Sequence, residues 1–184
     1  MPSQSGKILN WIRILIDKGK ALQELITEIP FNTPGKLYRS PMPFGPYDRL
    51  SQIWPLYQEK AIAVVVILVE AQEYLVRSQR DLPAFYRSQG LQVIHLPIRD
   101  FQTPDDLLQF EQALKTAANL LTSGKNLAVH CMAGIGRTGI FLASLGKRQL
   151  GLDGDQAITW IRQSIPDALE NPLQEQFVIN FGVA

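Results

Sequence analysis

One short stretch holds the residues best suited to chemistry: Val129-His130-Cys131-Met132-Ala133-Gly134-Ile135-Gly136-Arg137-Thr138-Gly139. A brief apolar run leads into a cysteine, then a glycine-bearing loop, then an arginine at the head of a helical pattern. The first N–H groups of a helix have no intrahelical acceptor, and together with the macrodipole they favour an anion. A loop curled over one point aims several such donors at a single oxyanion. Gly134, Gly136 and Gly139 permit the backbone angles and close approach that this needs. A guanidinium at Arg137 would hold two phosphate oxygens bidentately, with Cys131 behind the phosphorus. Thiols at helix N-termini beside cations ionise more readily than free cysteine, and a thiolate facing a phosphate ester is a nucleophile. The residues from Met132 through Ala133, Gly134, Ile135 and Gly136 to Arg137 are therefore the candidate phosphate-binding set. His130 is expected to orient the loop by hydrogen bonding rather than to transfer protons.

Without its neighbours, a lone cysteine beside a buried strand is a small hydrophobe. Arg137 at its offset takes Cys131 out of that class. The same glycines also match G-x-G-x-x-G, the dinucleotide fingerprint. That motif opens a first βαβ unit and is followed by an acidic residue about 20 positions on. Here the segment after Gly151 reads as helix, and too little chain remains for such a unit.

The elements that must position this loop follow from periodicity. Residues 7–28 read as an amphipathic helix, with Ile8, Trp11, Ile12, Leu15, Leu22, Leu25 and Ile26 at helical spacings. Residues 36–40 (KLYRS) fit a short edge strand, and 47–60 fit a helix. The β-branched run 61–69 lacks alternation, the signature of a strand buried on both faces. A helix over 70–80, a strand over 91–98, a helix over 103–122 and a strand over 126–130 follow. Helices over 137–150, 153–165 and 171–181 complete the chain. Thr103 as N-cap, Pro104 at N1, then Asp105 and Asp106 form an ordinary helix start. Strands alternating with helices predict one α/β domain over 1–184, with a mostly parallel sheet of four to five strands flanked by helices on both faces. Residues 1–29 would form a helical extension packed on it. Its stripe, with Lys7, Arg13, Lys18 and Lys20 beside it, also suits a membrane surface or a partner helix; packing on the domain itself is the expected role.

Composition narrows the class. The chain has 184 residues, 46% of them hydrophobic, with 18 basic against 17 acidic side chains. A net charge of +1 lacks the basic excess of a nucleic-acid binder. The longest apolar run, 61–69, falls short of the roughly 20 residues that span a bilayer. No charged-then-apolar leader with a small-residue cleavage site is seen, so a cytoplasmic, monomeric protein is the expectation. With a single cysteine, no internal disulfide and no four-cysteine zinc cage can form.

The stretch HCMAGIGRTG resembles the H-C-x5-R-[ST] signature of cysteine-based protein tyrosine phosphatases, and A-G-x-G-R-T-G is closest to the dual-specificity, cell-division-cycle-type branch. The likeness is strongest over 91–150. A rhodanese-like sulfur carrier would have a shorter cysteine-to-arginine loop. The resemblance implies a phosphatase-like fold, a phosphocysteine intermediate on Cys131 and no metal or other cofactor. It implies a general acid on the loop after the second central strand, where Asp100 stands in His95-Leu-Pro-Ile-Arg99-Asp100-Phe-Gln-Thr-Pro104; Asp105 and Asp106 are the competing carboxylates. D-x-x-x-P is similar to dual-specificity members, whereas Ile98 and Arg99 replace the W-P of tyrosine-specific enzymes. By the same resemblance, Thr138 would donate its hydroxyl to the sulfur, and Gln174 in Glu170-Asn-Pro-Leu-Gln174 would help place the hydrolytic water. Arg39 is either a further substrate contact or a surface arginine. The implied substrates are proteins phosphorylated on tyrosine, serine or threonine. A sugar, nucleotide or lipid phosphate, or a binding module without turnover, are the alternatives. No lysine stands in the loop, which disfavours polyphosphorylated inositol lipids.

Overall fold

A computed structural model describes residues 25–182. Five strands, β1 (Thr27–Ile29), β2 (Leu37–Ser40), β3 (Ile62–Ile67), β4 (Gln92–His95) and β5 (Asn126–His130), form one sheet in the order β1-β2-β5-β3-β4. All neighbours run parallel except β1, which is antiparallel to β2. Seven helices complete the described residues: α1 (Ile53–Glu59), α2 (Ala71–Arg77), α3 (Leu82–Ser88), α4 (Leu107–Thr122), α5 (Gly136–Leu150), α6 (Gly154–Ser164) and α7 (Pro172–Asn180). This is the single α/β domain with a mostly parallel sheet that the sequence predicts. Val64, Val65, Val66 and Ile67 on β3, and Leu127, Ala128 and Val129 on β5, are all fully buried. Consecutive strand residues point to opposite faces, so both faces of the central sheet are covered. No helix among the described residues is long and apolar enough to cross a membrane.

Register places the chemistry. Ser40 of β2 and Ile67 of β3 both pair with His130 of β5, so three parallel strands end level with one another. Cys131 is the next residue. The carboxyl rim of a parallel sheet is where such folds bind ligands, because helix N-termini open there.

The differences from the sequence reading have local causes. Most of the expected helix over 7–28 lies outside the described residues, but its end is overturned: Thr27–Ile29 form β1. An uncovered β2 would leave a row of unpaired backbone groups; β1 pairs with it, so β2 is interior rather than an edge. The helix expected over 47–60 forms only at Ile53–Glu59. Ahead of it the buried Asp48 carboxylate accepts from the N–H groups of Phe44, Gln52 and Ile53, folding 44–52 into turns. Helix α3 has no counterpart in the sequence reading; Asp81 caps it by accepting from Ala84 N–H, and Pro83 sits in its first turn. The helix expected from Thr103 begins instead at Leu107, with Asp106 as N-cap accepting from Gln109 N–H at 2.9 Å.

Candidate active site

The loop leaving β5 is drawn into a tight cup. Cys131 is 3% exposed, and its Sγ accepts from Gly134 N–H at 3.3 Å. Gly134 has φ +76°, and a Cβ there would collide with the Ser40 carbonyl on β2. Only glycine meets both demands. Met42 N–H donates to the Met132 carbonyl at 3.0 Å, tying the cup to the loop after β2. Gly136 opens α5, and a Cβ there would strike the Glu170 carboxylate and touch Gln174 Oε1.

Arg137 is the largest fully buried side chain of the described residues. Its Nη1 and Nη2 donate to the two carboxylate oxygens of Glu73 at 2.7 and 3.0 Å, and Nη1 also donates to the Ile98 carbonyl at 3.0 Å. Asp100 Oδ1 lies 2.9 Å from Nη2. Burial works against the charge, yet the Glu73 fork, the Cys131 sulfur and Asp100 more than offset it and raise the guanidinium pKa. The positive group is thereby fixed at the cup before any anion arrives.

The three candidate acids are separated by position. Asp100 meets Arg137, while Asp105 pairs with Arg99 at 2.9 Å and Asp106 is consumed as the α4 cap. Asp100 is half exposed, on a loop anchored where Asn171 Nδ2 donates to the Phe101 carbonyl at 2.9 Å.

His130 is wholly buried. A carbonyl only accepts, so Nδ1–H donates to the Cys131 carbonyl at 3.2 Å, and Nε2 accepts from the Tyr86 hydroxyl at 3.3 Å. Burial, with His95 and Arg137 adding to it, pushes the imidazole pKa down to about 4. Burial thus favours the neutral ring, which is bonded to the loop backbone and to Tyr86. A folded-state pKa below the unfolded value of about 6.5 means the unfolded chain takes up the proton first. Stability from this group is complete above pH 6.5 and falls as pH drops toward 4, by about 2 kcal/mol between pH 7 and 5. Urea unfolding across that range should show the loss, and His130→Asn, which keeps an N–H donor but does not titrate, should remove that part of the slope. Equal slopes would refute the assignment.

Thr138 is fully buried in the first turn of α5, but its hydroxyl has no hydrogen-bond partner, so the expected donation to sulfur is not made in this structure. Gln174 is also fully buried; its Oε1 accepts from Glu170 N–H at 2.8 Å, and its Nε2 lies 3.5 Å from the Gln102 carbonyl. The structure thus brings Gln174 to Gly136. Arg39 sits on β2, half-buried, one residue short of the rim. Among the described residues no group of three or more His, Cys, Asp or Glu side chains has metal-holding geometry.

Two residues of the site escape sequence reasoning. Glu73 stands in a Glu70-x-x-Glu73 pair whose only readable meaning is a capping box, which it also forms. Glu170 stands in the segment quoted for Gln174, with nothing in its spacing to single it out.

A parallel sheet ending in a cysteine cup, with a buried arginine at the head of the next helix, defines a member of the cysteine-based protein tyrosine phosphatase superfamily. The family model described as "Polymorphic toxin system, DSP-PTPase phosphatase" matches residues 47–149, more than half of the chain, and the chain belongs to that dual-specificity-type phosphatase family. It is 29% identical over 135 residues to tyrosine-protein phosphatase cdc-14 of Caenorhabditis elegans, covering 72% of this chain and 17% of that protein. It is 30% identical over 121 residues to tyrosine-protein phosphatase non-receptor type 7 of Mus musculus, covering 62% of this chain and 33% of that protein. The chain therefore spans a third or less of the length of these curated relatives. Among solved structures, Tk-PTP in its active form superposes with a TM-score of 0.66 at 27% identity, covering 79% of this chain and 90% of that one. Kinase associated phosphatase, solved with its catalytic-site cysteine changed to serine, shares the fold with a TM-score of 0.70 at 19% identity, covering 82% of this chain and 87% of that one.

Proposed function

We propose that this chain hydrolyses phosphate monoesters through a phosphocysteine intermediate, with phosphorylated tyrosine, serine and threonine in proteins as its substrates. The observation that carries this reading is the convergence on one cup of the Cys131 sulfur, the buried Arg137 guanidinium and the Asp100 carboxylate. Cys131 attacks phosphorus, and the phosphorus–oxygen bond to the leaving group breaks. Amides of 132–137 and the guanidinium bear the charge on the equatorial oxygens. Asp100 gives its proton to the leaving oxygen, then as carboxylate takes one from the water that splits the phosphorus–sulfur bond. Gln174, buried against Gly136, orients that water, and Thr138 supports the sulfur from beneath once the cup is loaded. His130 and the Tyr86 hydroxyl hold the loop's shape. The absence of lysine within the loop favours phosphoprotein over phosphoinositide substrates, and the absence of a W-P-D segment favours phosphoserine and phosphothreonine beside phosphotyrosine.

A series of aryl and alkyl phosphates assayed in EDTA tests this. The chain should turn them over, with vanadate blocking the reaction. Asp100→Ala should cut turnover by about a hundredfold for poor leaving groups and far less for nitrophenolate, which needs no proton. An even loss across the series would remove Asp100 from the mechanism; no turnover by the unmodified chain would overturn the reading as a whole.

A further inference from the structure

Glu170 holds a place the mechanism above does not use. It sits in the turn between α6 and α7, after Leu169, whose φ is +66°. Its backbone is pinned: Glu170 N–H donates to Gln174 Oε1 at 2.8 Å, and the preceding Ala168 carbonyl accepts from Arg162 Nε at 3.1 Å. Its neighbour Asn171 is bonded across to Phe101 on the Asp100 loop. From this fixed base the carboxylate reaches the head of α5, where Oε2 fills the space that the missing Cβ of Gly136 leaves open, beside the Gly136 N–H.

That N–H is one of the cup's donors. Two carboxylates thus stand at the oxyanion donors: Asp100 at Arg137 Nη2 and Glu170 beside Gly136 N–H. The groups facing Glu170 are Asp100 from the loop after β4 and Arg137 from α5, with the uncharged Gln174 amide beside it on α7; Arg162 of α6 is turned to Glu175. A phosphate oxygen arriving at Gly136 N–H meets the Glu170 carboxylate that occupies that place and brings a like charge against it.

We propose that Glu170 is a specificity-determining residue, a resident anion on the cup that an incoming phosphate must displace or meet in its protonated form. This rests on the reading of the cup as an oxyanion site. Burial, and then the Asp100 charge, raise the Glu170 pKa, the direction that eases proton uptake as an anion binds. With Asp100 and Glu170 both at the mouth, the site selects phosphate esters that carry no second anionic group beside the phosphate. Bisphosphates and phosphates flanked by carboxylates are disfavoured by the same repulsion.

Tungstate, a tetrahedral dianion that does not titrate near neutrality, is the probe. At pH 7.5 Glu170→Gln should bind it at least about fivefold more tightly than the unmodified chain, the effect of removing one unit charge roughly 4 Å away in a water-like medium. The unmodified chain should also gain affinity more steeply than the variant as pH falls to 5.5, each measured beside a melting curve that verifies folding. Glu170→Asp, one methylene shorter and withdrawn from Gly136, should move affinity in the same direction as the glutamine. Equal or weaker binding by the glutamine variant, or parallel pH dependences, overturns the inference. If neither protein binds tungstate, the oxyanion-site reading itself fails.

Discussion

Cys131→Ser is expected to abolish turnover of an aryl phosphate, a loss of more than about a thousandfold, in a chain that still folds and still binds tungstate. The two halves of this result come from different parts of the cup. Binding resides in backbone amides and in Arg137, none of which needs sulfur: the guanidinium is fixed by Glu73 and the Ile98 carbonyl whether or not residue 131 is ionised. Gly134 N–H, which now meets Sγ at 3.3 Å, would meet a hydroxyl oxygen of nearly the same position. Bond formation to phosphorus is another matter, because a serine hydroxyl stays protonated at neutral pH and is a far weaker nucleophile than a thiolate, and His130 is spent on the Cys131 carbonyl and Tyr86 rather than turned to activate it. Initial rates, a melting curve and a tungstate titration on the same preparation decide it. Turnover within tenfold of the unmodified chain would remove Cys131 as nucleophile.

How much of this was legible in the sequence depends on how local each contact is. The cup is written in consecutive residues, from the buried strand through Cys131 and the glycines to Arg137, so its shape follows from helix-end chemistry and short-range sterics. Asp100 was reachable because it lies on the loop after a strand that pairs beside β3. Which of Asp100, Asp105 and Asp106 meets Arg137 is a tertiary matter that spacing does not encode: Asp100 does, while Asp105 pairs with Arg99 and Asp106 caps α4. The start of α4 differs because Asp106, a stronger cap than Thr103, competes for the same role three residues later, and sequence spacing does not rank them. β1 was absorbed into a helix because three residues are too few for a period to show; only the need to cover β2 defines it. Glu73 was hidden most completely. Its bond to Arg137 crosses 64 positions, and its local signal, the capping box, is complete without that bond.

That double duty makes Glu73 the most exposed point of the site to mutation. Glu73→Ala should destabilise the chain by about 3–5 kcal/mol, the usual result of removing one partner from a buried ion pair. The guanidinium it leaves is 2% exposed, so water cannot replace the lost fork, and Asp100, half exposed on a separate loop, contacts only Nη2. The same change frees the Glu70 N–H that Glu73 Oε2 accepts at 2.9 Å. Helix α2 has seven residues, with Leu75 and Val76 exposed, so its cap, the buried Tyr74 packed on His95 and the Arg137 bridge are what hold it in place. Glu73→Gln separates the two effects, since glutamine also closes a capping box but offers one oxygen rather than a charged pair. It should keep α2 and lose less stability, yet leave Arg137 free to rotate out of line with the cup and weaken tungstate binding. Urea unfolding of both variants, with binding measured on the glutamine form, tests this. A loss below about 1 kcal/mol in Glu73→Ala would mean that the fork between α2 and α5 is not what fixes the guanidinium, and the preset positive charge on which the cup depends would need another source.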